Sequence, residues 1–120
     1  NDQVLFENCY LPRSRFMNSF DNNLLEIRNS IFWMWNNSQQ DRDLECRFVC
    51  IGNRCSFLEA QHAAESIISN NYFISSDEKA GSNHRLTIAN THAEVIGNTF
   101  FIPTYCVATG IYLVNRPKEA

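Results

Sequence analysis

The chain has 120 residues, of which 10 are Lys or Arg and 13 are Asp or Glu, for a net charge of -3, and 44 % are hydrophobic. This fits one domain of ordinary globular composition and excludes collagen, coiled coil and a disordered tail. No apolar run approaches the length of a membrane-spanning helix, so no helical span is expected. The negative balance gives no general pull toward nucleic acid, because Arg13, Arg15 and Arg28 make at most a local patch.

The chain opens on polar Asn1-Asp2-Gln3 without an initiator methionine. Residues 1–120 are therefore read as one domain, a processed or excised segment of a longer protein. The first patterned stretch is Phe6-Glu7-Asn8-Cys9-Tyr10, in which an asparagine sits between two apolar residues at period 2. Met17 to Asn23 is then read as a loop. The pattern returns at Ile27-Arg28-Asn29-Ser30-Ile31 and runs into Phe32-Trp33-Met34-Trp35, whose aromatic content favours a strand. After a loop at Ser38 to Asp43, a third copy is Ile51-Gly52-Asn53-Arg54-Cys55. Phe57 to Ala60 and Glu65 to Ile68 read as strands joined by a turn at Gln61 to Ala64, and Ile68-Ser69-Asn70-Asn71-Tyr72 is a fourth copy. Asp77 to Asn83 is an inserted loop. Leu86 to Asn90 alternates as a strand, Thr91 to Ala93 turns, and Glu94 leads into the fifth copy, Ile96-Gly97-Asn98-Thr99-Phe100. A last strand is predicted over Gly110 to Asn115, before a polar tail.

The five asparagines stand at positions 8, 29, 53, 70 and 98, so the successive intervals are 21, 24, 17 and 28. A chain wound as a coil of short strands repeats at about this interval, with each coil displaced from the next by the inter-strand distance of about 4.8 Å. An inward asparagine is costly unless its amide is bonded. Stacked coils meet that need, since each amide reaches the coil beside it. The expected fold is therefore all-β: a short right-handed parallel β-helix of about five coils, with Asn8, Asn29, Asn53, Asn70 and Asn98 as an inward ladder. Tyr10, Tyr72 and Phe100, two residues beyond ladder asparagines, are then expected to stack inward. The competing reading is a small α+β binding protein. It has helices over Asn22 to Trp35, with apolar residues at 24, 25, 27, 31, 32 and 35, and over Leu58 to Ile68. It leaves the asparagine pattern without a cause.

In its asparagine ladder and short apolar strands, the stretch from about residue 4 to 115 resembles the right-handed parallel β-helix, or pectin-lyase-like, superfamily. The resemblance implies a place among polysaccharide lyases, glycoside hydrolases, adhesins, epimerases and phage tailspike or tail-fibre domains. Five coils are few for that superfamily, and the end coils expose strand edges. A homo-oligomer is therefore expected, with a trimer the form implied by phage tail proteins.

Chemistry-bearing residues are sparse. Glycoside hydrolysis needs two carboxyl groups across a cleft. Asp43, Glu65 and Glu94 are the catalytic candidates, with Glu65 and Glu94 expected to stack on adjacent rungs. The dense acidic cluster of the superfamily's calcium-dependent lyases is missing. The five cysteines, Cys9, Cys46, Cys50, Cys55 and Cys106, lack a zinc-site spacing and read as small apolar side chains. Neither a nucleophile elbow nor a phosphate-binding glycine loop is present, so no metal and no cofactor are expected. Trp33 and Trp35 share one side of an extended strand. With Phe32 and Met34 facing the core, they make an outward platform for a sugar; with the register inverted, they are core. The sequence is thus expected to be a structural, glycan- or receptor-binding segment of a phage tail or surface appendage protein. Its location is the virion or the extracellular surface, its partner a cell-surface polysaccharide, and it binds without cleaving. The alternative is part of a polysaccharide-cleaving enzyme of the same fold.

Overall fold

A computed structural model describes residues 3–17, 24–37, 44–61, 63–74, 85–89, 91–101 and 110–114, with the backbone alone at 15–17, 36–37 and 44–46. The described residues form strands and no helix. They are β1 (Gln3–Glu7), β2 (Tyr10–Met17), β3 (Leu24–Arg28), β4 (Ile31–Asn37), β5 (Leu44–Ile51), β6 (Arg54–Cys55), β7 (Phe57–Gln61), β8 (Ala63–Ser69), β9 (Tyr72–Ile74), β10 (Leu86–Ala89), β11 (His92–Ile96), β12 (Thr99–Phe101) and β13 (Ile111–Val114). The helices of the α+β alternative fall on β3, β4, β7 and β8. Met17, read as a loop start, ends β2, and strand pairing extends into both predicted turns, to Gln61 and Ala63 in one and from His92 in the other. The loops over 38–43 and 77–83 lie outside the described residues.

Every pairing is parallel. The chain is a parallel β-solenoid of five turns, consistent with the pectin-lyase-like superfamily in general. One sheet stacks β1-β3-β5-β8-β11 in sequence order. Gln3, Leu24, Arg47, Glu65 and His92 stand level in it, at successive intervals of 21, 23, 18 and 27 along the chain. The second sheet has two segments per turn. The first aligns Leu11, Phe32, Cys55, Phe73 and Phe100; the second aligns Trp35, Leu58, Leu86 and Ile111.

Alternation fills the space between the sheets. Leu25, Ile27, Phe48, Cys50 and Ile68 point in from the first sheet. Phe32, Cys55, Phe73, Trp35, Leu58, Leu86 and Ile88 meet them from the second. Phe73 and Phe100 stack on successive turns, with ring centroids 4.7 Å apart and planes 5° from parallel.

The bend between the sheets takes two residues in every turn: Asn8-Cys9, Asn29-Ser30, Gly52-Asn53, Asn70-Asn71 and Gly97-Asn98. The first of each pair has a positive φ, between 51° and 71°. Asparagine and glycine are the residues that enter this left-handed region at least cost. The second of each pair points inward. Asn53 N–H donates to Asn71 Oδ1 and Asn71 N–H to Asn98 Oδ1, both at 2.9 Å. Asn53 Nδ2 donates to Ile27 O at 3.0 Å, and Asn71 Nδ2 to Cys50 O at 2.9 Å. The ladder column is thus Cys9, Ser30, Asn53, Asn71 and Asn98.

This corrects three assignments. Asn8, Asn29 and Asn70 are exposed at the bend, while Asn53 and Asn98 occupy the ladder. The pattern in the sequence mixed two adjacent columns, because asparagine satisfies both the backbone demand of the bend and the amide demand of the ladder. One residue of slip also turns the following aromatics over. Tyr10 is 72 % exposed and Tyr72 is 39 % exposed, whereas Phe73 is fully buried; Leu11, in the same register at the open first turn, is 39 % exposed. Phe100, which does follow a ladder asparagine by two, packs against the core.

Candidate functional site

The described catalytic candidates lie on the outer face of the first sheet. Glu65 in β8 stands level with His92, and Glu94 in β11 stands level with Ile67. The two carboxylates are therefore diagonal neighbours and not stacked. One rung and two residues separate their backbones, about 8 Å. Stacking them matches the starts of two strands 29 residues apart, whereas level residues on these two turns are 27 apart. Glu65 Oε2 lies 3.3 Å from Arg47 Nε. Beside that pair, Arg28 Nε lies 3.1 Å from Glu26 Oε2, and this hydrogen bond holds the Glu26 carboxyl below the usual carboxylate range. The face carries charge of both signs in pairs. Asp43 lies outside the described residues, as does Cys106.

The tryptophans do not form a platform. Trp35 is 5 % exposed and packs edge-on against Phe6 and Phe32, with centroids 5.6 and 5.9 Å away. Trp33 is half-buried and meets Phe57 edge-on at 6.0 Å. Phe32 and Trp35 both face the core although three positions separate them, so strict alternation fails between them. The cause is a corner inside β4: Ile31 pairs with β6, Met34 onward pairs with β7, and Trp33 O accepts from Ser56 N–H at the break. A run of five apolar residues gives no sign of such a corner.

A different surface emerges on the outer side of the second sheet. Tyr10, Ile31, Arg54, Tyr72 and Thr99 stand level on five successive turns. The Arg54 guanidinium sits 5.6 Å from the Tyr72 ring centroid, a cation–π distance. Next to them is a cleft of about 130 Å³ lined by Pro12, Ile31, Phe32, Arg54, Cys55, Ser56 and Ile74. It forms where the second sheet turns its corner, and Ser56 Oγ fixes that corner by donating to Ile74 O at 2.8 Å. Sequence reasoning missed this column because the ladder slip sent both tyrosines inward. The signal was present: each column residue follows a bend dipeptide that begins with Asn or Gly.

The described thiols fit the apolar reading. Cys50 and Cys55 are buried and unbridged, and Cys9 is half-buried and unbridged. Burial pushes Cys50 up to about 12 and Cys55 well above the ordinary thiol value, which makes both poor nucleophiles. Among the described residues no three His, Cys, Asp or Glu side chains gather to hold a metal, and no helix is long and apolar enough to cross a membrane. Compared with protein-family models, curated proteins and solved structures, the chain matches none.

Proposed function

We propose that the chain is a structural, glycan-binding β-solenoid segment of a surface appendage, such as a phage tail, at the virion or extracellular surface. It binds a polysaccharide without cleaving it and works as a homotrimer. The observation that carries this reading is the exposed column Tyr10–Arg54–Tyr72 beside the cleft. Tyrosine rings offer an apolar face to a sugar and a hydroxyl to its polar edge, and arginine adds donors in a fixed fork. Tyr10 and Tyr72 are three rungs apart, about 14 Å. Such a row suits a linear polymer lying along the solenoid axis better than a single small molecule.

Binding without cleavage is supported by the placement of the described acids. Glycosidic hydrolysis needs one carboxyl group kept protonated beside one that is ionised. Glu65 is instead paired with the Arg47 guanidinium, and Glu94 is its diagonal neighbour on the outer face of the sheet. Association side by side is supported by apolar residues on the outer face of the first sheet, where Leu5 and Ile96 are exposed and half-buried Ile67 lies among charged residues.

A panel of bacterial surface polysaccharides tests the reading. Binding should fall at least tenfold with Tyr72→Ala or Arg54→Ala and stay unchanged with Trp33→Ala, with no new reducing ends or unsaturated products. Sedimentation equilibrium should give three times the chain mass. Turnover abolished by Glu65→Gln or Glu94→Gln would replace binding by catalysis, and indifference of binding to both Tyr72 and Arg54 would remove the site.

A further inference from the structure

The cleft beside the tyrosine column is chemically uneven. Four successive turns build it: Pro12 comes from the first, Ile31 from the second, Arg54 and Ser56 from the third, and Ile74 from the fourth. Pro12, Ile31 and Ile74 make much of its lining apolar. Its volume of about 130 Å³ is well below the roughly 300 to 1,000 Å³ of pockets that enclose a whole small ligand. The cleft therefore suits a substituent of a sugar, with the ring itself left outside against the column.

Two polar residues decide what that substituent must carry. Ser56 Oγ has one proton, and it goes to Ile74 O at 2.8 Å. The lone pairs of Oγ remain, and among the described residues no donor reaches them. Ser56 thus presents an acceptor. Arg54 presents the opposite, since a guanidinium has donors and no acceptor. It lies 5.6 Å from the Tyr72 ring centroid, and among the described residues it pairs with no carboxylate.

Common sugar substituents differ in how many of these three features they use. The carboxylate of a uronic acid meets Arg54. It has no proton for Ser56 Oγ, and its burial against Pro12, Ile31 and Ile74 costs desolvation. The methyl of a deoxy sugar meets the apolar lining and leaves both polar groups unmet. An O-acetyl ester lacks the donor. An acetamido group uses all three: its N–H donates to Ser56 Oγ, its C=O accepts from Arg54, and its methyl lies against the apolar lining. We infer that the cleft is a subsite for the N-acetyl group of an amino sugar within the polysaccharide. This rests on the glycan-binding reading of the Tyr10–Arg54–Tyr72 column and names the sugar class that the column selects. Tyr72, level with Arg54, supplies the ring face on which the same sugar stacks.

Three probes isolate the substituent: the methyl glycosides of N-acetylglucosamine, glucose and glucuronic acid, each titrated into the isotope-labelled full chain. The N-acetylglucosamine glycoside should shift the Arg54 and Ser56 backbone amide resonances saturably, with an affinity at least tenfold above the other two. Saturation transfer from the protein should be strongest at its acetyl methyl. Ile74→Trp, which fills the cleft, should weaken that binding at least tenfold with an unaltered circular dichroism spectrum. Equal affinity for the three glycosides, preference for the glucuronide, or no shift at Arg54 and Ser56 would overturn the inference. If surface polysaccharides still bind through Tyr72 in that case, the glycan reading stands without this subsite. Polysaccharide binding indifferent to Tyr72 and Arg54 removes the glycan reading instead, whatever the glycosides do.

Discussion

Two of the corners that the chain turns in each coil behave differently. At the bend between the sheets five successive turns each use two residues, from Asn8-Cys9 to Gly97-Asn98. At the corner inside the second sheet the count varies. Residues 12–14 oppose the lone Trp33, Ser56 alone makes the corner in the third turn, and 75–85 and 102–110 connect the segments in the fourth and fifth. At the first corner of the first four turns each backbone N–H is committed to a side chain or carbonyl of the next coil, so an added residue breaks several bonds at once. At the second, Ser56 alone ties the chain in the third turn, through its N–H to Trp33 O and its Oγ to Ile74 O, and elsewhere a longer connection costs little loop entropy.

The sharpest way to break this comparison is insertion. Three residues added between Asn53 and Arg54 should remove cooperative unfolding, while the same three added between Cys55 and Ser56 should cost about 1 kcal/mol, read from urea midpoints. Asn71→Leu comes next. It leaves the Asn53 N–H and the Cys50 C=O buried without partners and should cost about 3 kcal/mol by the same measurement. Gly52→Ala should cost about 1–2 kcal/mol, because φ there is 71° and an added Cβ would lie 2.5 Å from Asn29 Oδ1. Part of that loss should be recovered in an Asn29→Ala background, where the obstructing side chain is gone. Glu65→Gln should change stability by less than about 0.5 kcal/mol, since its ion pair is exposed.

The buried thiols sharpen the same contrast through pH. Burial raises Cys50 to about 12 from an ordinary value of 9.0, and Cys55 is raised as well. The folded chain thus keeps protons that the unfolded chain releases above pH 9. The stability linked to these thiols is complete below pH 9 and is lost as pH rises toward 12. Urea midpoints measured across that range should fall, and less steeply for Cys50→Ala.

The solenoid was legible because asparagine at a bend has a strong physical cause and recurs once per turn. Its register was not legible, because the bend and the ladder occupy adjacent positions and both accept asparagine. The doublet Asn70-Asn71 held the clue, as did Gly52-Asn53 and Gly97-Asn98, where glycine marks the bend and leaves the asparagine to the ladder. The intervals of 24, 17 and 28 between the asparagines become 23, 18 and 27 once the columns are separated. The corner at Trp33 left no such mark, since aromatic residues fit either face of a strand and give no sign of where it breaks. The Tyr10–Arg54–Tyr72 column was therefore hidden behind an error of one residue, and the Trp33–Trp35 platform was drawn across a corner.

The ladder also bears on how the chain ages. Asparagine deamidates when the N–H of the following residue loses its proton and that nitrogen attacks the side-chain carbonyl, expelling ammonia to leave a succinimide. Asn29 and Asn70 are exposed and are followed by Ser30 and Asn71, neighbours small or polar enough to permit that ring closure in a free peptide. In the coil the attacking nitrogen is already engaged: Ser30 N–H donates to Asn53 Oδ1 and Asn71 N–H to Asn98 Oδ1, each at 2.9 Å. The bonds that set the register thus shield the two asparagines from hydrolysis for as long as the coil stays wound.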